Sequence, residues 1–324
     1  MKDIIAKRNY FFLLSLLIII PGIISMATVG FRLGIAFSGG NRITLHYKNG
    51  VSAADVQKEM DTFQVNAIVQ DASSNRVIIT TKPLTGTAPV GQKPQDQTIR
   101  DDLNSKFGPP PNGGQAVETF DVVGPEIAGQ AVVTTAVLIS LASFGIVVYL
   151  ALRFSVPGVG RWKFAVSAII ALLHDVFVLT GIFSILGKVF NLAIGEVDLL
   201  FVTAVLTVVG FSVHDTIVIF DRIRENLRFG GAQRLLRQNF EAVVNLSIVQ
   251  SLARSLNTSL TVIFVLLALL LLAPQSIKGF ALALLIGIVS GTYSSIFNAS
   301  PLLVAWRIGR QRAASRAAYQ RCCQ

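Results

Sequence analysis

Gly210-Phe211-Ser212-Val213-His214-Asp215-Thr216, followed by Phe220-Asp221-Arg222-Ile223-Arg224-Glu225-Asn226, ends an apolar stretch that reads as a membrane span over about 197–220. A carboxylate therefore lies inside a segment built for lipid. An Asp at the centre of a spanning helix costs roughly 2.5–3.5 kcal/mol on insertion scales, so its retention points to function. If Asp221 and Arg222 mark the membrane boundary, Asp215 lies about 9 Å inside it at helical rise, a depth that protons can reach. The plainer alternative is an Asp that only bonds a neighbouring helix or snorkels toward water.

Working outward, the 324 residues are 52% apolar and 14% charged, with a mean hydropathy of +0.62. A soluble domain with a polar surface would not have this balance, and the chain reads as a polytopic α-helical membrane protein. Six stretches are long enough to cross a hydrocarbon core of about 30 Å: 10–29, 131–152, 164–187, 197–220, 252–273 and 279–306. In the fifth, the apolar core starts only at Leu260, so polar Arg254-Ser255-Leu256-Asn257-Thr258-Ser259 must supply its first turns. The first exceeds the usual apolar length of a signal peptide and reads as a retained anchor. Cys322 and Cys323, adjacent at the C-terminus, form no disulfide framework or metal-ligand spacing, and no cofactor is expected.

Charge sets the orientation. The N-terminus, the loops after the second and fourth spans and the C-terminal tail carry Lys2, Lys7, Arg8, Arg153, Arg161, Lys163, six Arg between 222 and 254, and five more from Arg307 to Arg321. The opposite short loops carry only Lys188 and Lys278. By the positive-inside rule both termini are cytoplasmic and residues 30–130 extracytoplasmic. The net charge of +10 is thereby absorbed by topology, and no basic patch interleaved with aromatics points to nucleic acid.

The chain divides into 1–29 (N-terminus and first span), 30–130 (an extracytoplasmic domain), 131–306 (spans two to six) and a basic tail, 307–324. Within the domain, Asn41–Lys48, Val65–Gln70, Arg76–Thr81 and Gln115–Val122 read as strands. Helices are predicted from the Ser52-Ala53-Ala54-Asp55 cap and over Gln97–Phe107. The order β-α-β-β-α-β is ferredoxin-like. Its acids are scattered as on a solvated face, which fits a docking module and no catalysis.

Other polar residues in the spans need a reading. His174 and Asp175 fall near the middle of the third span, as a continuation of a proton path or as a hydrogen-bonded pair that packs. His214 shares a stripe with Thr203, Thr207 and Gly210, with Asp215 turned about 100° away. Arg254 reads from its position alone as one more positive-inside residue; near Asp215 it would favour the carboxylate, and protonation would release it. Ala283, Gly287, Gly291 and Ser295 form a small-residue stripe for close helix packing. Asp221, Arg222, Arg224 and Glu225 read as the solvated start of a loop, and Glu196 and Asp198 as acids suited to a helix N-terminus.

Val123-Gly124-Pro125-Glu126, Tyr149-Leu150-Ala151-Leu152-Arg153-Phe154, Leu173-His174-Asp175-Val176, the Phe211–Asn226 run, Arg254–Ser259 and Gly291-Thr292-Tyr293-Ser294-Ser295-Ile296 together resemble the SecF family of the bacterial protein-export machinery, within the resistance-nodulation-division superfamily. Ala36 stands where that family usually has Asp, and His214 where it often has Asn. The resemblance implies a six-span subunit in the cytoplasmic (inner) membrane, in contact with membrane lipids, that pairs with a SecD-like subunit and associates with the SecYEG channel. It would use the proton gradient to help draw exported polypeptides outward, without enzymatic chemistry. Asp215, Arg254, His214, His174 and Asp175 would be its proton-coupling residues. Two rival readings are a proton-coupled exporter half for a small molecule or lipid, for which residues 30–130 hold few aromatics, and a passive scaffold of the translocon.

Overall fold

The computed structural model describes residues 4–46, 52–63, 65, 67–72, 76–84, 94–108, 115–153, 161–229 and 240–306. The basic tail, both cysteines, residues 85–93 and 109–114, and the connection at 230–239 lie outside these. Helix α1 (Arg8–Thr28) leads through a short α2 (Ile35–Ser38), which contains Ala36, into the α+β domain. That domain runs β1 (Gly40–His46), α3 (Ala53–Thr62), β2 (Ala67–Ala72), β3 (Arg76–Thr81), α4 (Gln95–Phe107) and β4 (Val117–Val123). Its four strands form an antiparallel sheet in the order β2-β3-β1-β4, the split βαβ arrangement. Alternation along β1 and β3 turns Ile43, Leu45, Val77 and Ile79 to one face, where Val56 and Met60 of α3 and Ile99 and Leu103 of α4 cover them. The expected capping box forms: the Asp55 backbone N–H donates to Ser52 Oγ at 3.3 Å, and the Ser52 N–H to Asp55 Oδ2 at 2.9 Å.

The remaining long helices are α5 (Pro125–Arg153), α6 (Arg161–Ser184), α7 (Leu199–Phe229), α8 (Phe240–Leu272) and α9 (Gln275–Ser294). A π-helical turn, Ser295–Ala299, continues α9. Among the described residues, six helices are long and apolar enough to cross a membrane. Asp198 caps α7, taking the Phe201 N–H at 2.8 Å, as its acid-at-an-N-terminus reading anticipates. Glu196 takes no part in that cap and pairs instead with Arg42 of β1.

Two boundaries differ from expectation. Helix α7 does not give way to a solvated loop at Asp221 but continues to Phe229. Phe220, Ile223 and Leu227 keep an apolar face buried, while Arg222 Nε bonds Gln250 Oε1 at 2.8 Å and Asn226 Nδ2 bonds Ser247 Oγ at 2.8 Å. The fifth span is likewise longer, because α8 begins at Phe240 and Arg254 lies fourteen residues along it rather than in its first turns. Hydropathy misses this extension because it is held by Val244, Ile248 and these polar bonds to α7. At roughly 1.5 Å per residue, α8 is about 50 Å long, well beyond a hydrocarbon core of about 30 Å.

Close contact of small residues holds the bundle, as expected where lipid supplies no hydrophobic drive between helices. On α9, a Cβ added at Gly287 would lie 2.1 Å from Val208 Cγ2, and one at Gly291 would lie 3.1 Å from Ser212 Cβ. Helix α1 meets α6 backbone to backbone: a Cβ at Gly22 would lie 2.8 Å from the Gly181 Cα. Ser25 and Ser184 share a hydrogen bond of 2.8 Å along the same seam. Gly22→Leu is therefore expected to lower stability by about 1–3 kcal/mol through forced overpacking. Thermal melting of the purified chain would show it, with Gly129→Leu, which meets nothing within 4 Å, melting as the parent does.

Candidate functional site

The bundle interior holds two acids in different surroundings. Asp175 on α6 is fully buried. Its Oδ1 accepts from Ser290 Oγ at 2.7 Å, and its Oδ2 from Ser212 Oγ at 2.6 Å and Ser294 Oγ at 2.7 Å. His174 Nδ1 lies 3.0 Å from Oδ1. Four donors match the roughly four acceptor positions of an ionised carboxylate. The His174 ring stacks on Tyr293 at 6.0 Å between centroids. Ser290 and Ser294 are one turn apart on α9, so both reach the same carboxylate.

Asp215 on α7 is 6% exposed and differently served. Its Oδ1 accepts from Ser255 Oγ of α8 at 2.7 Å, while its buried Oδ2 has no partner among the described residues. One turn along α8, Ser259 pairs with Thr292 of α9 at 2.6 Å. Thr216, beside Asp215, pairs with Ser295 Oγ at 2.8 Å. Ser212, which serves Asp175, precedes Asp215 by three residues on α7, roughly one helical turn. The two acids are thus linked through α7, which carries Asp215 itself and the Ser212 that serves Asp175.

The structure brings together some of the residues singled out in the sequence and separates others. His174 and Asp175 are adjacent partners. Asp215 faces inward while Thr203, Thr207, Gly210 and His214 line the exposed face of α7, the rotation that the helical spacing predicts. Arg254 is exposed on α8, and no ion pair joins it to Asp215 among the described residues; its neighbour Ser255 makes that contact instead. The serines Ser212, Ser255, Ser290 and Ser294 carry no advance signal comparable to an acid, because a serine in a spanning helix can return its hydroxyl to its own backbone. Only the four-residue spacing of Ser290 and Ser294 hints at a shared target. Among the described residues no group of three or more His, Cys, Asp or Glu is placed to hold a metal ion.

The comparisons with known proteins agree with this layout. The profile of the protein-export membrane protein SecD/SecF C-terminal family matches residues 112–309. The chain is 47% identical over 314 residues to the protein translocase subunit SecF of Thermobaculum terrenum, covering 94% of each. It is 38% identical over 318 residues to the subunit of that name from Anaerolinea thermophila, covering 96% of each. Against the protein translocase subunit SecDF of Bacillus subtilis, identity is 33% over 95% of this chain and 38% of that one. The crystal structure of SecDF, a translocon-associated membrane protein from Thermus thermophilus, superposes with a TM-score of 0.79 at 29% identity, over 94% of this chain and 38% of that chain. Likeness of this depth runs through the α+β domain and the spans alike, so the chain belongs to the SecD/SecF family of protein-export membrane proteins, as a SecF-like subunit in a multi-pass membrane fold.

Proposed function

We propose that this subunit couples the transmembrane proton gradient to a late stage of polypeptide export, with Asp215 as the group that takes up and releases the proton. One observation carries the reading: Asp215 is buried at the α7–α8 seam with one oxygen bonded to Ser255 and the other without a partner among the described residues. A carboxylate so incompletely served gains by taking a proton, whereas both oxygens of Asp175 are hydrogen-bonded. In this reading Asp175, with His174, holds the frame in which Asp215 works. Both termini face the cytoplasm and the α+β domain lies outside, in keeping with the distribution of Lys and Arg. One elementary charge crossing 100 mV is worth about 2.3 kcal/mol, so steady pulling draws on repeated proton transfers. The subunit itself performs no covalent chemistry.

The partner reading rests on the outward face of α7 and α8. These helices run antiparallel, since Asp215 meets Ser255 while Asn226 meets Ser247. In an antiparallel pair, the residues preceding two facing positions turn to the same side, so His214 and Arg254 project together. With Asn257, also exposed, they have no hydrogen bond or ion pair among the described residues, and lipid would leave them unserved. A SecD-like subunit covers this face, as befits a chain that matches 38% of SecDF relatives. The assembly then docks on the SecYEG channel and handles the emerging polypeptide. Arg254 and His214 would meet Asp215 through that interface rather than within this subunit.

Asp215→Asn, assembled at parental levels, is expected to abolish gradient-dependent release of a secreted protein from vesicles holding the complete complex, with thermal stability near that of the parent. Unchanged gradient dependence would instead support the passive-scaffold reading. Asp175→Asn, which takes away an acceptor shared by serines of two other helices, is expected to lower stability by about 1–3 kcal/mol, read as a fall in the melting midpoint. Gly210→Trp, at a position where an added Cβ meets nothing within 4 Å, is expected to reduce co-purification with the SecD-like subunit while the isolated chain melts normally.

A further inference from the structure

The α+β domain is tied to the helical bundle at one turn, residues 190–198, between α6 and α7. Two backbone bonds begin the tie: the Val197 N–H donates to the Arg32 carbonyl at 2.8 Å, and the Gly34 N–H to the Val197 carbonyl at 2.8 Å. Arg32 Nη1 donates to Asn191 Oδ1 at 2.8 Å, and Gln70 Nε2 of β2 to the Asn191 carbonyl at 3.1 Å. Arg42 of β1 reaches across to Glu196, whose side chain is 8% exposed. The turn is also locked to the π-helical turn Ile185–Val189 that continues α6, since a Cβ at Gly195 would lie 2.3 Å from the Gly187 nitrogen. It passes directly into the Asp198 cap of α7, the helix that carries Ser212 and Asp215. Any change in how the domain sits on this turn therefore acts on the start of α7.

We propose that Arg42 and Glu196 form a latch that docks the α+β domain on the turn leading into α7, with Glu196 as the positioning residue that links domain orientation to that helix. The inference stands apart from any role of Asp215 in proton movement. The charged groups that act on Glu196 are Arg42 from β1, Arg32 from the segment after α1 and Asp198 from its own turn, while Arg76 of β3, Glu118 and Asp121 of β4 and Lys278 of α9 line the same cleft, of about 810 Å3. Burial outweighs both arginines and holds the Glu196 carboxyl above its ordinary range. A carboxyl released to water returns to that range, so the docked state binds the proton more tightly. Docking is accordingly strongest below the ordinary carboxyl range and weakens as pH rises through the higher value of the docked state. The ion pair remains necessary at neutral pH, because removing one member of a buried pair leaves the other charge uncompensated.

The test uses the full chain in lipid nanodiscs, with Cys322 and Cys323 replaced by Ser and spin labels at Lys58→Cys on α3 and Ser276→Cys on α9, both exposed positions. Pulsed electron resonance then reads the distance between domain and bundle. The parent is expected to show a single narrow distance that sharpens on acidification. Arg42→Ala should lose that population at neutral pH and regain it either on acidification or on adding Glu196→Gln, and Glu196→Gln alone should keep the parental distance. An unchanged distance in Arg42→Ala, failure of the second substitution to restore it, or a parent that broadens on acidification would overturn the latch. None of these readings requires a proton gradient or export, so loss of the Asp215 assignment would leave the result intact.

Discussion

The bundle depends on a carboxylate that three helices share. Asp175 of α6 takes hydroxyls from Ser212 of α7 and from Ser290 and Ser294 of α9. These serines sit where glycine and other small residues bring the backbones close, so the hydrogen bonds and the tight packing require one another. Within lipid, apolar contact alone does little to bring helices together, because the tails are as apolar as leucine. A buried carboxyl group bonded at both oxygens gives the three helices one relative position, at which each of these hydroxyls is met. Removing the carboxyl group, or moving any of the three helices, leaves polar groups without partners in a medium that cannot replace them.

Against that fixed centre, α7 links the other polar features. It carries Ser212 toward Asp175, Asp215 toward Ser255 of α8, and His214 on the exposed face beside the side from which Arg254 projects. Its start is capped by Asp198 and tethered through Glu196 to the α+β domain. The two buried acids therefore divide their tasks by surroundings rather than by residue type: four donors around one, a single donor and an orphaned oxygen around the other.

Much of the fold was legible in the sequence because its signals are local. Period-two alternation in β1 and β3, the Ser52–Asp55 capping box and the small-residue stripe of α9 depend on near neighbours, and each appears in the structure. The helix extensions at Asp221–Phe229 and from Phe240 were not legible. They are held by contacts between segments more than twenty residues apart, such as Asn226 with Ser247 and Arg222 with Gln250, and the mixed polarity of each segment alone reads as loop.

By itself, the sequence determined that the chain crosses a membrane six times, carries an α+β domain after the first span, and keeps acids at Asp175 and Asp215 inside it, because hydropathy, alternation and the cost of a charge in lipid are properties of single segments. Only the tertiary structure decided that Asp175 is enclosed by serines from two other helices, that Ser255 rather than Arg254 meets Asp215, and that Glu196 serves the domain rather than the helix beside it. Those outcomes turn on which face of one helix meets which face of another. That relation is set by close packing and hydrogen-bond satisfaction across the whole bundle, and no single stretch of sequence contains it.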